Sequence, residues 1–151
     1  MAHKGIFRPK FPEKYRGDVN NIVFRSLWER SCMKYFDRNP HVLKWSSEEV
    51  VIPYISPIDN KTHRYFVDFF IKIINSKDEI EEIIIEVKPF KQTLPPKENK
   101  KTHWKSKQKF LKEQKTFLVN QAKWQTAEIY AQKKGWKFMI LTEKEIYGKK
   151  V

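Results

Sequence analysis

Cysteine is almost missing from this sequence. Cys32 is the single one, so no disulfide can close within the chain and zinc sites built from clustered thiolates are excluded. A lone thiol fits a reducing compartment. Long apolar runs are missing as well: nothing approaches the ~20 consecutive apolar residues of a membrane-spanning helix. The opening MAHKGIFRPK is basic and lacks the apolar run of a signal peptide. His41, His63 and His103 are too scattered to make a zinc site. The largest deficit is in acidic residues. Eighteen Asp and Glu stand against 31 Lys and Arg, a net charge of +13. On so small a body such an imbalance implies a polyanionic partner, nucleic acid first and a membrane surface second. The second is weakened because no segment has the form of an interfacial amphipathic helix.

What is present is enough for one folded domain. The chain has 151 residues, 40% of them apolar, with 11 Phe, 6 Tyr and 5 Trp. A chain of this length buries about 68–70% of its unfolded surface. The mean hydropathy of -0.72 reflects lysines rather than a shortage of large apolar side chains, which argues against disorder. No internal repeat is visible.

Residues 1–20 carry Lys4, Arg8, Lys10, Lys14 and Arg16 with Pro9 and Pro12, and read as an extended basic arm ahead of a domain over 21–147. Helical spacing of Ile22, Val23, Leu27, Met33 and Phe36 predicts a helix from about Asn21 to Asp37, capped by Asn20 or Asn21 and closed by Pro40. A strand is expected at Val50–Ile55, with Pro53 favouring an edge. Arg64–Ile74 and Ile80–Lys88 read as two strands joined by the polar loop Asn75–Glu79, a β-hairpin. Pro89, Pro95 and Pro96 break the chain. A second helix is expected from about Lys115 to Lys134, stopped by Gly135, and a short buried strand at Lys137–Thr142. The order predicts an α/β fold, a mixed sheet flanked by helices.

The hairpin is where chemistry gathers. With the turn centred on Lys77, Ile74 faces Ile80, Ile71 faces Ile83, Phe69 faces Ile85 and Val67 faces Val87, an apolar face for a helix to cover. The other face pairs Lys72 with Glu82, Phe70 with Ile84, and Asp68 with Glu86. Opposed side chains on antiparallel strands have Cβ atoms about 4.5–5.5 Å apart, so two carboxylates there repel unless a cation lies between them. Mg²⁺ is a hard ion commonly held by one or two carboxylates. Lys88, two residues beyond Glu86, points to the same side by strand alternation. Register is critical, since a slip of one residue moves Asp68 to the other face. On the first helix Glu29 shares an otherwise apolar stripe with Ile22, Met33 and Phe36. It is read either as an intrahelical partner of Arg25 or as a third acidic group beside the hairpin patch.

A Glu on a first helix, then Asp, then Glu-x-Lys on successive strands resembles the PD-(D/E)xK nuclease superfamily. The pieces are FRSLWE (24–29), RYFVDFF (64–70) and IEVK (85–88). The wider series adds KYRGD (14–18), WSSEEVVIPY (45–54), IEVKPFKQTLPP (85–96), NQAKW (120–124) and FMILTE (138–143). Over about residues 8–145 it resembles the head-completion nucleases of large contractile-tailed phages, relatives in fold of the transposon endonuclease TnsA. The first acidic motif here is Val67-Asp68 where many members have Pro-Asp.

The resemblance implies a restriction-endonuclease-like fold over 21–147 and a metal-dependent DNA endonuclease. Catalytic roles fall to Glu29, Asp68, Glu86 and Lys88, with Mg²⁺ (or Mn²⁺) held by Asp68, Glu86 and the Val87 carbonyl. It also implies work in the host cytoplasm during head completion, with portal or neck proteins as further partners and the head–neck region as a location. Residues 89–115 form a basic insertion, and 97–115 hold eight Lys against two Glu. Lys100, Lys101, Lys105, Lys107 and Lys109, interleaved with Trp104, suit phosphate contacts and base stacking. A flexible solvated loop is the plainer reading of the same run. Lys14, Arg16 and Arg25 are secondary DNA contacts. The rival is a basic structural head protein that binds DNA or a portal ring and uses Asp68 and Glu86 only in salt bridges.

Overall fold

A computed structural model describes residues 4–98 and 103–148, so the Lys100 and Lys101 assignments lie outside the described residues. Among the described residues, eight strands and three α-helices follow one another as β1 (Gly5–Ile6), β2 (Val23–Phe24), α1 (Leu27–Arg38), β3 (Val42–Ser47), β4 (Val51–Ile55), β5 (Thr62–Phe66), β6 (Phe69–Ile74), β7 (Ile80–Val87), α2 (Trp104–Lys134), β8 (Lys137–Leu141) and α3 (Glu143–Ile146). The main sheet has the order β3-β6-β7-β8. Its first three strands are antiparallel, and β8 joins β7 in parallel after a crossover through α2. The expected mixed sheet flanked by helices is what forms.

Both sheet faces are covered, because β6 and β7 are apolar on both sides. One face packs Phe69, Ile71, Ile83 and Ile85 against Cys32, Met33 and Phe36 of α1. The other packs Phe70 and Ile84 against Trp124, Ala127 and Ala131 of α2, where the two alanines let helix and sheet approach closely. The expected hairpin register holds at every pair from Phe69↔Ile85 to Ile74↔Ile80. The faces need two corrections. Ile74 and Ile80 belong by alternation to the Phe70 side, and Val67 joins the second core rather than the first.

Four other expectations change. Ser26 caps α1, its side chain accepting from the Glu29 amide, while Val23 and Phe24 pair with Ile6 and Gly5. Ile22 and Val23 therefore lie outside the helix. The segment read as an extended basic arm is packed. Phe7 and Tyr15 enter the first core, set edge-on against Trp45 at ring-centroid distances of 5.8 and 4.7 Å, and the Arg16 amide bonds the Trp45 carbonyl. Buried Asp37 accepts backbone N–H bonds from Lys10 (2.8 Å) and Phe11 (3.1 Å). Helix α2 starts at Trp104 rather than near Lys115, so the lysine-rich run 104–115 is helical. It ends as expected on left-handed Gly135 (φ 73°). Strand β8 is a half-exposed sheet edge, with Met139 44% exposed, rather than a buried strand.

Candidate active site

Arg64–Ile74, read as one strand, is two. β5 pairs with β4 in a separate ribbon, and β6 pairs with β3 in the main sheet. Between the ladders, three residues on one side (Glu48, Glu49, Val50) oppose two on the other (Val67, Asp68). The extra residue makes a bulge-like bend, with Glu48 at φ 57°. It is tied by Glu48 N–H to the Asp68 carbonyl (3.1 Å) and Val67 N–H to the Val50 carbonyl (3.0 Å). Such bends re-aim side chains. Here the hairpin leaves the sheet at Asp68, the β6–β7 ladder stops at Phe69↔Ile85, and the Asp68 carboxylate takes the Val87 N–H instead (2.8 Å).

Asp68 is therefore not a ladder partner of Glu86, yet the two carboxyls remain electrostatic neighbours. Burial, and then the adjacent Glu86 charge, hold the Asp68 carboxyl well above the usual carboxylate range. Glu86, itself buried, accepts from the Tyr65 hydroxyl at 2.6 Å on Oε1, and its Oε2 lies 3.3 Å from the Lys88 ammonium. Glu29 stands in the first turn of α1, where its Oε1 accepts the Arg25 amide (3.0 Å). Burial pushes this carboxyl up too, with Glu48 and Glu86 adding to the rise. The Arg25 guanidinium turns to Glu48 (2.9 Å), so the expected Arg25–Glu29 contact runs through backbone alone. Asp68, Glu86, Lys88 and Glu29 thus share one end of the sheet. Among the described residues, no group of three or more His, Cys, Asp and Glu is arranged to hold a metal by itself.

A carboxyl whose folded pKa exceeds its unfolded one favours the fold most in acid. That contribution is lost as pH rises from the ordinary aspartate value near 3.8 through the raised folded value. In metal-free buffer at neutral pH, Asp68→Asn keeps an acceptor for Val87 N–H and removes the repulsion. It is expected to stabilise the fold by about 1–2 kcal/mol. Thermal melts from pH 4 to 8 check this: the variant's advantage should grow with pH, and a destabilised variant would contradict it.

The suggested DNA contacts separate into three groups. Trp104, Lys105, Lys107 and Lys109 project from the exposed first turns of α2, Trp104 being 63% exposed. Arg16 and Arg25 are exposed, although Arg25 is held by Glu48. Lys14 is not available, because its ammonium donates to the carbonyls of Asp37 (2.9 Å) and Asn39 (2.8 Å) at the end of α1. Tyr65 and Glu48 were not singled out from sequence. A strand tyrosine on the inward phase, three residues before Asp68, was the available signal, since a buried hydroxyl needs an acceptor.

Residues 39–143 match the family model described as TnsA-like endonuclease N terminal, a span holding Asp68, Glu86, Val87 and Lys88 but not Glu29. The chain is also 41% identical, over 143 residues, to the head completion nuclease of Enterobacteria phage T4, covering 95% of this chain and 93% of that protein.

Proposed function

The chain belongs to the TnsA-like endonuclease family, and from that premise we propose that it is a Mg²⁺-dependent DNA endonuclease acting in phage head completion, after packaging and before tail joining. The observation that carries the reading is the pair of carboxyls, Asp68 and Glu86, crowded at the sheet end with Lys88 beside them.

The donor set fits a hard divalent ion. Asp68, Glu86 and the Val87 carbonyl offer only oxygens, and like charge on the two carboxylates exceeds what one lysine offsets. These three groups would hold the ion, with Glu29 as a further carboxylate reached through water. When bound, the ion would polarise the scissile phosphate and lower the pKa of a water. The remaining work belongs to the chain. Lys88, tethered by Glu86, would donate to the phosphate oxygen that gains charge as the phosphodiester is attacked. Val87 N–H holds Asp68 in one orientation. The exposed lysines and Trp104 on α2 suit backbone phosphates and a stacked base, contacts that carry little sequence information.

Supercoiled plasmid incubated with the protein tests the reading. Open-circular and then linear DNA should appear in Mg²⁺ or Mn²⁺, and neither should appear in EDTA. Retention of DNA with no nicking under any divalent ion would reject it in favour of a structural DNA-binding role.

A further inference from the structure

One buried hydroxyl touches the candidate site without a role in the chemistry above. Tyr65 is 3% exposed and lies on β5, the strand that bends out of the main sheet. Because of that bend its side chain reaches back to β7, where its hydroxyl donates to Glu86 Oε1 at 2.6 Å. This is the short distance of a charge-assisted O–H···O⁻ bond.

The Tyr65 ring packs against α2 in the second core. Trp124 of α2 is buried in the same core as the Tyr65 ring. The Lys123 ammonium sits 5.5 Å from the centre of the Tyr65 ring, a cation over a π-face. Lys123 and Trp124 are the last two residues of the NQAKW series, which the proposed chemistry leaves unused. Both residues pack against the phenol ring whose hydroxyl donates to Glu86. Lys88 holds the other Glu86 oxygen, so both ends of the carboxylate are oriented by the protein.

We propose that Tyr65, backed by Trp124 and Lys123, is a positioning residue that fixes the Glu86 carboxylate in the orientation a divalent ion requires. The inference rests on the metal-dependent reading and adds to it a residue whose role is to aim a ligand. Hydrogen bonds to metal-binding carboxylates are commonly worth about 10–100-fold in metal affinity or activity.

The test is Tyr65→Phe, which keeps the ring in the second core and removes only the oxygen. Mn²⁺ binding to the DNA-free protein, followed by the electron paramagnetic resonance of free Mn²⁺, should weaken by about 10–100-fold. The Mn²⁺ concentration for half-maximal nicking should move in parallel, while plasmid affinity in EDTA stays at the wild-type value. Unchanged Mn²⁺ affinity in a folded variant overturns the inference and leaves the nuclease reading standing. A wild-type protein that neither binds Mn²⁺ nor nicks overturns that reading itself. Should the variant fail to fold, wild-type protein labelled with ¹³C at tyrosine Cζ decides. Mg²⁺ titration should shift the Tyr65 resonance with the same midpoint as metal binding, and an unmoved resonance would sink the proposal.

Discussion

Lys88→Ala is expected to slow plasmid nicking in Mg²⁺ by about 10²–10³-fold while DNA retention in EDTA stays at the wild-type level. The separation follows from where the side chain lies. Lys88 stands at the end of β7 with its ammonium 3.3 Å from Glu86, far in sequence from the exposed lysines of α2. Removing it takes away a single positive group aimed at the site and leaves the polyanion-binding surface intact. Asp68→Ala should lose activity at least as severely, since it removes one of the two carboxylates and frees the Val87 N–H. Both variants should fold, because neither side chain belongs to an apolar core. Nicking at wild-type rates in either one would remove these residues from the active site.

The largest effect on stability is expected away from the site, at Asp37. This carboxylate is 1% exposed and accepts two backbone N–H bonds from residues some 26 positions earlier in the chain. Hydrogen bonds to charged groups contribute about 1.5–3 kcal/mol each. In Asp37→Ala the amides of Lys10 and Phe11 lose their acceptor, and the short helical turn Pro12–Lys14 loses its anchor. A loss of about 3 kcal/mol is expected, which in a domain of this size lowers the melting temperature by about 6–12 °C. Limited trypsinolysis should then cut first in the N-terminal segment. A melting temperature within a degree of wild type would show that Phe7 and Tyr15 hold the segment without the carboxylate.

Much of the hairpin was legible because its instructions are local. Asn75 Oδ1 accepts from the amides of both Lys77 and Glu79, and Asp78 adopts φ 59°, so the turn sets the register of everything that follows. The bend at Asp68 was not legible. It is written jointly by Glu48–Val50 and Val67–Asp68, segments about twenty residues apart, and no periodicity within either reveals it. Strand β3 escaped notice because Lys44 and the two serines dilute its apolar signal. The packed N-terminal segment was misread because Phe7 and Tyr15 are embedded among basic residues, and charge masked two core side chains. The first half of α2 looked like a loop for a similar reason. Lysine and glutamine are strong helix formers despite their polarity, and a solvated helix carries no amphipathic stripe.

That half-helix has a thermodynamic consequence. The buried residues of α2 are Asn120, Trp124, Ala127 and Ala131, so the sheet anchors only its later turns. The earlier turns extend from a nucleus already built, and growth from such a nucleus escapes the initiation penalty and proceeds at a propagation constant of about 1–1.6 per residue in good helix formers. Each added residue is then almost free-energy neutral, and the length of the rod becomes a titratable quantity. Mutual repulsion among its ammonium groups is expected to shorten it in dilute salt, and neutralisation by a polyanion is expected to restore it.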